Sequence, residues 1–264
     1  MIDIHNHTIF AVDDGSRNIE QSIRMIKAAR KVGVTEICFS PHYMEDGYRT
    51  EREVLLSKVE EIQKCLKKEG IEMNLYLGEE VFIFPDMAEN LDKIVSLNDS
   101  RYILFELPLL EEVNYVDEVV YRLMSLGKVP VLAHPERYFI TSKDFSVIEN
   151  LAQKGVLLQI NLNSLIGHYG KEAKKLAVRL LKADMVQFVG SDAHSSAGYE
   201  KLAESIPVLE KLVGVEKAKE LMVDNPRKAL HDEEIDVGTF ETHKVSNRSK
   251  TRKSLFSKIL EKVG

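Results

Sequence analysis

The chain has 264 residues, a length that fits one large domain and lies near the usual size of an α/β barrel. Its 44% hydrophobic and 30% charged residues are typical of a folded globular protein and exclude a disordered or fibrous chain. The formal net charge of −6 argues against nucleic acid as a ligand, and two cysteines without a Cys-x-x-Cys pair exclude a disulfide framework and a cysteine-rich zinc site.

Short apolar runs alternate along the chain with longer amphipathic segments. The runs predict seven strands, in chain order residues 2–5, 34–40, 74–80, 102–106, 129–133, 156–161 and 185–190. The amphipathic segments predict a first helix that Ser16 caps and Gly33 ends. Further helices are predicted over residues 50–69, 111–126, 145–154, 170–182, 200–212 and 215–223.

The alternation of strands and helices predicts a parallel sheet. The strand segments VPVLA and MVQFVG are apolar at successive positions, as in strands that are covered on both faces. Seven β–α repeats favour a closed or nearly closed barrel of the TIM type, with a doubly wound open sheet as the alternative. No G-x-G-x-x-G sequence follows the first strand and no P-loop sequence occurs, so a nucleotide-binding sheet loses its usual support.

Charge divides the chain into two parts. Seven basic and two acidic residues follow residue 240, a net charge of +5, which leaves 29 basic and 40 acidic residues and a charge of −11 on the remainder. We expect a catalytic domain over residues 1–237 and an appended basic segment over residues 238–264. In that segment ETHKVSNRSKTRK has the composition of a linker, and SLFSKILEKV has the period of an amphipathic helix. Such a helix can lie on anionic lipid, and packing against the barrel or an oligomer partner is the alternative.

The N-terminal sequence MIDIHNH has neither the basic region nor the long apolar run of a secretory signal. The longest apolar runs are far shorter than the ~20 residues of a membrane-spanning helix. We therefore expect a cytoplasmic protein, which the basic segment would hold at a membrane if it binds lipid.

Side chains of the kind that bind metals occur at six of the predicted strand ends. They are Asp3, His5 and His7 at the first strand, His42 after the second, Glu79 and Glu80 at the third, Glu106 at the fourth, His134 at the fifth, and Asp192 and His194 after the seventh. Because the carboxyl ends of parallel barrel strands meet on one face, these side chains should converge. Five of the eight histidines belong to this set, more than one tetrahedral zinc site needs, which indicates two or three metal ions.

Three choices stay open at this point. Spacing alone does not decide between Glu79 and Glu80, because neighbouring residues of a strand face opposite sides. Asp3 can be a ligand or can orient a neighbouring histidine. Asp13 and Asp14, in the segment DDGS, can instead form the turn before the first helix. Three further histidines do not follow strands and are not expected to take part: His168, His231 and His243.

Several metal ions held close together most often activate water for hydrolysis. A phosphoester suits such a site because its negative charge needs cationic partners. Arg137, three residues after His134, can bind phosphate through two parallel hydrogen bonds. Arg137, His42 and Asp192 are the residues that we expect to act in catalysis.

The cysteines exclude the thiol chemistry of the commonest tyrosine phosphatases. That chemistry needs the spacing Cys-x5-Arg, but Met44 stands at this distance from Cys38 and Ile71 stands at this distance from Cys65. Metal-activated water is therefore the remaining route to a phosphatase.

The segments MIDIHNH, DDGS, SPHY, GEEV, FELP, AHPERY, QINLNSLIG and GSDAH together resemble the PHP superfamily (polymerase and histidinol phosphatase). In order and spacing they are most similar to the bacterial manganese-dependent protein-tyrosine phosphatases of capsule and exopolysaccharide loci, the CpsB/YwqE type. The resemblance covers nearly the whole expected catalytic domain. It implies a distorted (β/α)7 TIM-like barrel, the PHP fold, with two or three manganese ions, and with iron or zinc as alternatives.

The resemblance also implies the roles of individual residues and a substrate. Carried over residue by residue, the ligands are His5, His7, His42, Glu80, Glu106, His134, Asp192 and His194. The family pattern G-x-E selects Glu80 over Glu79, and Arg137 matches the phosphate-binding arginine of the family. The implied activity is hydrolysis of phosphotyrosine in protein, often in the C-terminal tyrosine cluster of a cognate bacterial tyrosine kinase, which would tune polysaccharide chain length and export.

The sequence departs from the family pattern after the final histidine. Family members commonly have Asn directly after it and Arg several residues later, where this chain has Ser195 and Tyr199. The departure bears on substrate affinity and choice. Competing hypotheses are a PHP phosphatase of a small metabolite such as histidinol phosphate and a non-catalytic regulatory barrel, while the −11 body disfavours a PHP nuclease.

Overall fold

The computed structural model describes residues 1–236. The predicted basic segment and the predicted domain boundary at residue 237 lie outside the described residues, so both stay predictions. Within the described range, no helix is long and apolar enough to cross a lipid bilayer.

Parallel strands alternate with helices along the described residues. The strands are β1 (Ile2–Asp3), β2 (Glu36–Phe39), β3 (His42–Tyr43), β4 (Asn74–Leu77), β5 (Glu80–Phe82), β6 (Tyr102–Glu106), β7 (Val129–Ala133), β8 (Leu157–Asn161) and β9 (Phe188–Gly190). The helices are α1 (Ile19–Lys31), α2 (Arg52–Lys68), α3 (Val116–Ser125), α4 (Phe139–Lys143), α5 (Ser146–Gln153), α6 (Lys171–Lys182), α7 (Ser196–Glu200), α8 (Leu202–Val213), α9 (Val215–Lys219) and α10 (Asn225–Leu230).

The strands form two parallel sheets, in the orders β1-β2-β4 and β3-β5-β6-β7-β8-β9. β3 continues β2 and β5 continues β4 after a break of two residues, so each pair is one interrupted strand of a seven-stranded barrel. A parallel bridge between Asn6 and Ala193 joins the first strand to the last. The backbone N–H of His7 donates to the carbonyl of Ala193 at 3.0 Å, and that of Asp192 donates to the carbonyl of His5 at 2.8 Å. The predicted distorted barrel is confirmed, and the doubly wound open sheet is wrong.

The barrel interior follows from the two-residue period of the strands. Along β6, Tyr102 and Leu104 belong to the interior cluster and Glu106 continues the same face, whereas Ile103 and Phe105 pack against the helices outside. Residues of α10 and the following loop belong to the interior cluster and close the amino-terminal end of the barrel. The interior is therefore apolar at that end and turns polar at the carboxyl end, where the site lies.

Amphipathic helices cover the outside of the barrel. α6 buries Ala173, Leu176, Ala177, Leu180 and Leu181 and exposes most of its charged residues. Burying a leucine side chain contributes roughly 1.5–3 kcal/mol. Such faces hold the strand ends in fixed positions around the site.

Several sequence predictions of local structure were wrong in detail. Ser16 does not cap the first helix, because the side chain of Asn18 accepts the backbone N–H of Gln21 and the hydroxyl of Ser16 donates to the carbonyl of Asn18. The third predicted strand is interrupted at Gly78, where a Cβ would meet the side chain of Leu97 at 3.0 Å. The helix predicted over residues 111–126 begins only at Val116, after a loop that borders the site.

Candidate metal centre

The carboxyl ends of the strands bring the predicted ligands together. His5 and His7 follow β1, His42 opens β3, Glu80 opens β5, Glu106 ends β6, His134 follows β7, and Asp192 and His194 follow β9. All eight side chains face one another, as ion-pair distances between their atoms show. The convergence that the strand-end rule predicts is therefore present.

Glu80 lies at the middle of the cluster. Its Oε1 is 3.1 Å from Nε2 of His5 and 2.8 Å from Nε2 of His134. Its Oε2 is 3.3 Å from Nε2 of His7 and 3.2 Å from Nδ1 of His42. One buried carboxylate thus contacts four imidazoles, an arrangement suited to bridging two metal ions.

Glu106 and Asp192 complete the cluster on either side of Glu80. Oε1 of Glu106 lies 3.1 Å from Nδ1 of His42. Oδ1 of Asp192 lies 3.4 Å from Nε2 of His7 and 3.5 Å from Nδ1 of His194. His42 thus lies beside Glu106, and His7 and His194 lie beside Asp192.

The donor atoms fit metal ions. Nε2 of His5, Nε2 of His7, Nδ1 of His42 and Oε2 of Glu80 are buried and make no hydrogen bond. Leaving a buried polar atom without a partner costs roughly 1–3 kcal/mol, so the four atoms together favour a ligand at the point where they meet. Within residues 1–236, four overlapping groups offer ligand atoms within 4.8 Å of one another: His7, Asp14, His42 and His194; His5, His134 and Asp192; His5, His7 and Glu80; His42, Glu80 and Glu106.

Asp14 belongs to one of these groups, although its sequence context also suited a turn. Its Oδ1 is 3.3 Å from Nε2 of His194 and 3.7 Å from Nε2 of His42. The hydrogen bond from His194 lowers the pKa of Asp14 to about 2, so the group is ionised at neutral pH. Sequence reasoning did not choose Asp14 as a ligand, because a pair of aspartates before a glycine is also typical of a turn.

Two polar residues fix the imidazoles of the first strand. Oε1 of Gln159 lies 2.6 Å from Nδ1 of His5, and Oδ2 of Asp13 lies 2.7 Å from Nδ1 of His7. An acceptor at Nδ1 holds the proton on that nitrogen and leaves Nε2 free to bind a metal. Asp3 does not have this role, because its carboxylate accepts hydrogen bonds from Ser191 and from the hydroxyl of Tyr199 at 2.9 Å. The interpretation that Asp3 orients a histidine ring is therefore wrong.

The electrostatics of the cluster favour protonated imidazoles beside ionised carboxylates. Burial lowers the pKa of His5, but the carboxylates of Glu80 and Asp192 outweigh burial and raise this pKa to about 9. Burial raises the pKa of Glu80, but the neighbouring histidines outweigh it and hold the pKa well below its usual range. Metal ions and protons therefore compete for the same imidazole nitrogens.

Arg137 lies beside the cluster and is held from two sides. Its Nη1 donates to Oδ2 of Asp192 at 2.6 Å, and its guanidinium stacks over the ring of Tyr169 at 4.4 Å. The amide of Asn161 and the hydroxyl of Tyr169 donate to the same oxygen at 2.7 and 3.2 Å. Asp192 thus holds Arg137 with Oδ2 and faces the histidines with Oδ1.

Sequence reasoning missed Gln159 and Asn161 as contributors to the site. Both lie in β8 at two-residue spacing from Leu157, which faces the barrel interior. Two amides on the inward face of an apolar strand are the signal that would have found them.

The backbone is in the left-handed region at two site residues. His134 has φ of 34° and Asp192 has φ of 49°, and neither is glycine. Such conformations cost of order 1–3 kcal/mol and are concentrated at functional sites. The fold thus holds an unfavourable backbone conformation that turns both side chains into the cluster.

The neighbouring glutamates Glu79 and Glu80 point in different directions. Glu79 points away from the cluster, and its buried carboxylate accepts the backbone N–H of Val95 at 2.7 Å. Burial raises the pKa of Glu79 to about 8. Of the histidines set aside, His231 directly follows α10 near the opposite end of the barrel, His243 lies outside the described residues, and His168 contacts Lys201 beside the site.

Tyr199 stands where family members commonly have Arg. Its side chain is fully buried, and its hydroxyl contacts Asp3 and Thr8. Tyr199 therefore contacts Asp3 and Thr8 and does not line the cavity above the cluster.

A cavity of about 530 Å³ opens above the cluster. Its floor includes Glu80, His134 and Arg137. Its walls carry apolar side chains from the end of β5 and from the loops after β3 and β6, which are Met44, Tyr48, Phe82, Leu107, Pro108, Leu109 and Leu110. The cavity thus combines a polar, cation-binding floor with a wall that suits a flat apolar group.

Comparisons with known proteins agree with this architecture. The sequence model of the family described as "Capsular polysaccharide synthesis, CpsB/CapC" matches residues 1–231. The tyrosine-protein phosphatase YwqE of Bacillus subtilis is 36% identical over 219 residues, 82% of this chain and 86% of the relative. The tyrosine-protein phosphatase CpsB of Streptococcus pneumoniae is 31% identical over 243 residues, 89% of this chain and 100% of the relative.

Solved structures show the same fold. A crystal structure from work on YwqE and CpsB, described as metal-dependent tyrosine phosphatases, matches with a TM-score of 0.85 and 33% identity, over 92% of this chain and 100% of that chain. A histidinol phosphate phosphatase of Lactococcus lactis matches with a TM-score of 0.52 and 16% identity, over 84% of this chain and 94% of that chain, which shows the fold alone.

Proposed function

This chain belongs to the CpsB/CapC family of capsular polysaccharide synthesis proteins, and from that membership we propose that it is a metal-dependent protein-tyrosine phosphatase. The observation that carries the proposal is the cavity above the cluster, which joins a multi-carboxylate, multi-histidine floor and Arg137 to an apolar wall. A phosphate ester of an aromatic ring has the matching halves. The wall would contact the phenyl ring while the phosphate reaches the floor.

We propose that the ligands are the eight residues implied by the family resemblance, with Asp14 as a ninth contributor. The mixture of imidazole and carboxylate donors suits manganese, and also iron or zinc. When bound, such ions lower the pKa of water and neutralise negative charge on a phosphoryl group. The four overlapping groups of ligand atoms give room for two or three ions.

The chain's own residues supply binding and orientation. Arg137 has further N–H groups beyond the one bound to Asp192, and these can donate to two phosphate oxygens. Stacking on Tyr169 keeps the plane of the guanidinium fixed. His42 is 15% exposed and lies between Glu106 and Asp14, so it forms the rim where substrate enters.

The test is hydrolysis of p-nitrophenyl phosphate and of phosphotyrosine peptides with manganese supplied. A His134→Ala protein should lose at least about a hundredfold in turnover, since it removes a proposed ligand. Tyr43→Phe is a matched control, because Tyr43 is buried near the site and within residues 1–236 its hydroxyl makes no hydrogen bond to the cluster. Unchanged turnover in His134→Ala would overturn the assignment of the centre. Metal analysis of the purified protein tests the preference for manganese.

The physiological substrate that we propose is a phosphotyrosine protein, in particular a bacterial tyrosine kinase that controls capsular or exopolysaccharide synthesis. The family description and the naming of the relatives as tyrosine-protein phosphatases support this choice. Comparing kcat/KM for phosphotyrosine peptides, phosphoserine peptides and histidinol phosphate tests it. Faster turnover of histidinol phosphate would favour the metabolite phosphatase, and a metal-free, inert protein would favour the regulatory barrel.

We also propose a peripheral contact of the basic segment with anionic membranes. The support is the charge of +5 after residue 240 beside a body of −11. Co-sedimentation with vesicles that contain phosphatidylserine should depend on the segment. Equal binding by the full chain and by a chain that ends at residue 237 would remove the idea. The same two proteins in sedimentation velocity would show whether the segment mediates an oligomer.

A further inference from the structure

A second, smaller cavity lies directly beside the metal centre. It has a volume of about 230 Å³, and three residues border both cavities: Arg137, Asp192 and His194. Its other lining residues include His168 and Lys201, which come from the loop after β8 and from the turn between α7 and α8. A substrate held at the metal centre therefore has a neighbouring compartment within reach.

The charge in this compartment is positive. The ammonium of Lys201 donates to Nδ1 of His168 at 2.8 Å, and none of the ion pairs within residues 1–236 involves Lys201. The one carboxylate of the lining, Asp192, already accepts hydrogen bonds from Arg137, Asn161 and Tyr169. The compartment is thus lined by two cations, Lys201 and Arg137, and by one carboxylate, Asp192, whose Oδ2 already accepts hydrogen bonds.

The compartment also offers donors that the fold does not use. Arg137 uses only Nη1 to donate to Asp192, so its other nitrogens can donate to a ligand. The hydroxyl of Ser195 makes no hydrogen bond within residues 1–236. Because the ammonium of Lys201 donates to Nδ1 of His168, that nitrogen carries no proton and the imidazole is neutral. The positive charge of this pair therefore lies on Lys201. Asn163 is a scaffold element, because its amide donates to the carbonyl of Gly198 and accepts from Ser205.

We propose that this compartment, here called the side pocket, binds a second anionic group of the phosphopeptide, with Lys201 as its principal cation. The inference rests on the proposed phosphatase function, because it assigns sequence preference at the same site. The second anion is a carboxylate of an acidic residue next to the phosphotyrosine or a second phosphate. Both chemistries suit an ammonium beside a guanidinium.

The experiment measures kcat/KM of the full chain with manganese on three phosphotyrosine peptides of one sequence. They carry, next to the phosphotyrosine, a neutral residue, an acidic residue or a second phosphotyrosine. Wild-type protein should prefer the anionic peptides by about fivefold, the value of one partly exposed ion pair, and the effect should lie in KM. The larger of the two anionic preferences identifies the source of the anion.

Substitutions at Lys201 then test the residue. Lys201→Ala should bring the ratio of anionic to neutral peptide to about one, Lys201→Glu should bring it below one, and Lys201→Arg should keep it. Lys175→Ala is the matched control, because Lys175 is an exposed lysine of α6 that pairs with Glu172 and should leave the ratio at its wild-type value.

Three outcomes would overturn the side pocket. Wild-type protein that cleaves all three peptides equally shows no second subsite, whereas failure to cleave any of them contradicts the phosphatase function itself. Equal losses on every peptide in Lys201→Ala would place Lys201 at the reacting phosphate or in the scaffold. A changed inhibition constant for inorganic phosphate in Lys201→Ala, with the peptide ratio unchanged, would assign the pocket to free phosphate.

Discussion

The hydrogen bond between Gln159 and His5 makes a sharp prediction about metal affinity. Gln159 is fully buried, and its Oε1 lies 2.6 Å from Nδ1 of His5. Gln159→Leu keeps a similar volume but removes the acceptor that holds the proton on Nδ1. Loss of such a partner behind a metal-binding histidine typically weakens binding 10- to 100-fold, about 1.4–2.7 kcal/mol. We therefore expect the dissociation constant for manganese to rise by that factor in competition titrations with a chelating dye.

A matched substitution separates this effect from the general cost of replacing a buried amide. Gln187 is also buried, and its Oε1 accepts the backbone N–H of Leu158, but it contacts no proposed ligand. Gln187→Leu should lower the free energy of unfolding while metal affinity stays at the wild-type value. Equal metal affinity in Gln159→Leu and Gln187→Leu would refute the positioning role of Gln159.

Three further predictions concern pH and the guanidinium. Because carboxylates raise the pKa of His5 to about 9, its ring is protonated below that pH. Metal affinity should therefore rise from pH 6 to pH 9. Calorimetry in buffers of different ionisation enthalpy should detect the protons that metal binding releases. Burial raises the pKa of Glu79 to about 8 in the folded state, above its value in the unfolded chain, so the folded state binds one more proton between these values. The free energy of unfolding should therefore fall as pH rises from about 5 to 8. Urea unfolding at several pH values should show this slope in the wild-type protein and lose it in Glu79→Gln. Tyr169→Phe keeps the ring under Arg137 but removes the hydrogen bond from the hydroxyl to Asp192, so KM in steady-state assays should rise by less than about tenfold. Tyr169→Ala also removes the ring and should raise KM further.

The sequence was sufficient for the barrel because its apolar runs and helical patterns follow strict periods. It was insufficient for the interruptions within strands. Residues 74–80 are predicted as one strand, yet the strand is interrupted at Gly78 and Glu79. The first helix also begins later than Ser16 suggests, since only the loop geometry decides whether Ser16 or Asn18 reaches the free N–H groups.

The convergence of the eight side chains could be predicted because strand ends concentrate on one face, but the residues that hold the imidazole rings could not be paired with them. The partner of His5 is 154 positions away in the chain, and the partner of His7 lies in a loop that also suited a turn. No local pattern links such residues. Likewise Lys201 and His168, which meet in the side pocket, are 33 positions apart in the chain. Composition does not indicate that they are neighbours.

The two oxygens of Asp192 connect the two halves of the proposed reaction. Oδ1 faces His7 and His194 among the proposed ligands, and Oδ2 holds Arg137 against the cavity. Asp192 would hold a metal ion with Oδ1 while Oδ2 holds Arg137, and because the carboxylate is rigid and its backbone is in the left-handed region, a change at one oxygen would be transmitted to the other. Phosphate binding and metal binding are therefore expected to be coupled, and each should strengthen the other by the same factor. This coupling distinguishes a site that assembles around metal and substrate together from one in which Arg137 is an independent surface cation.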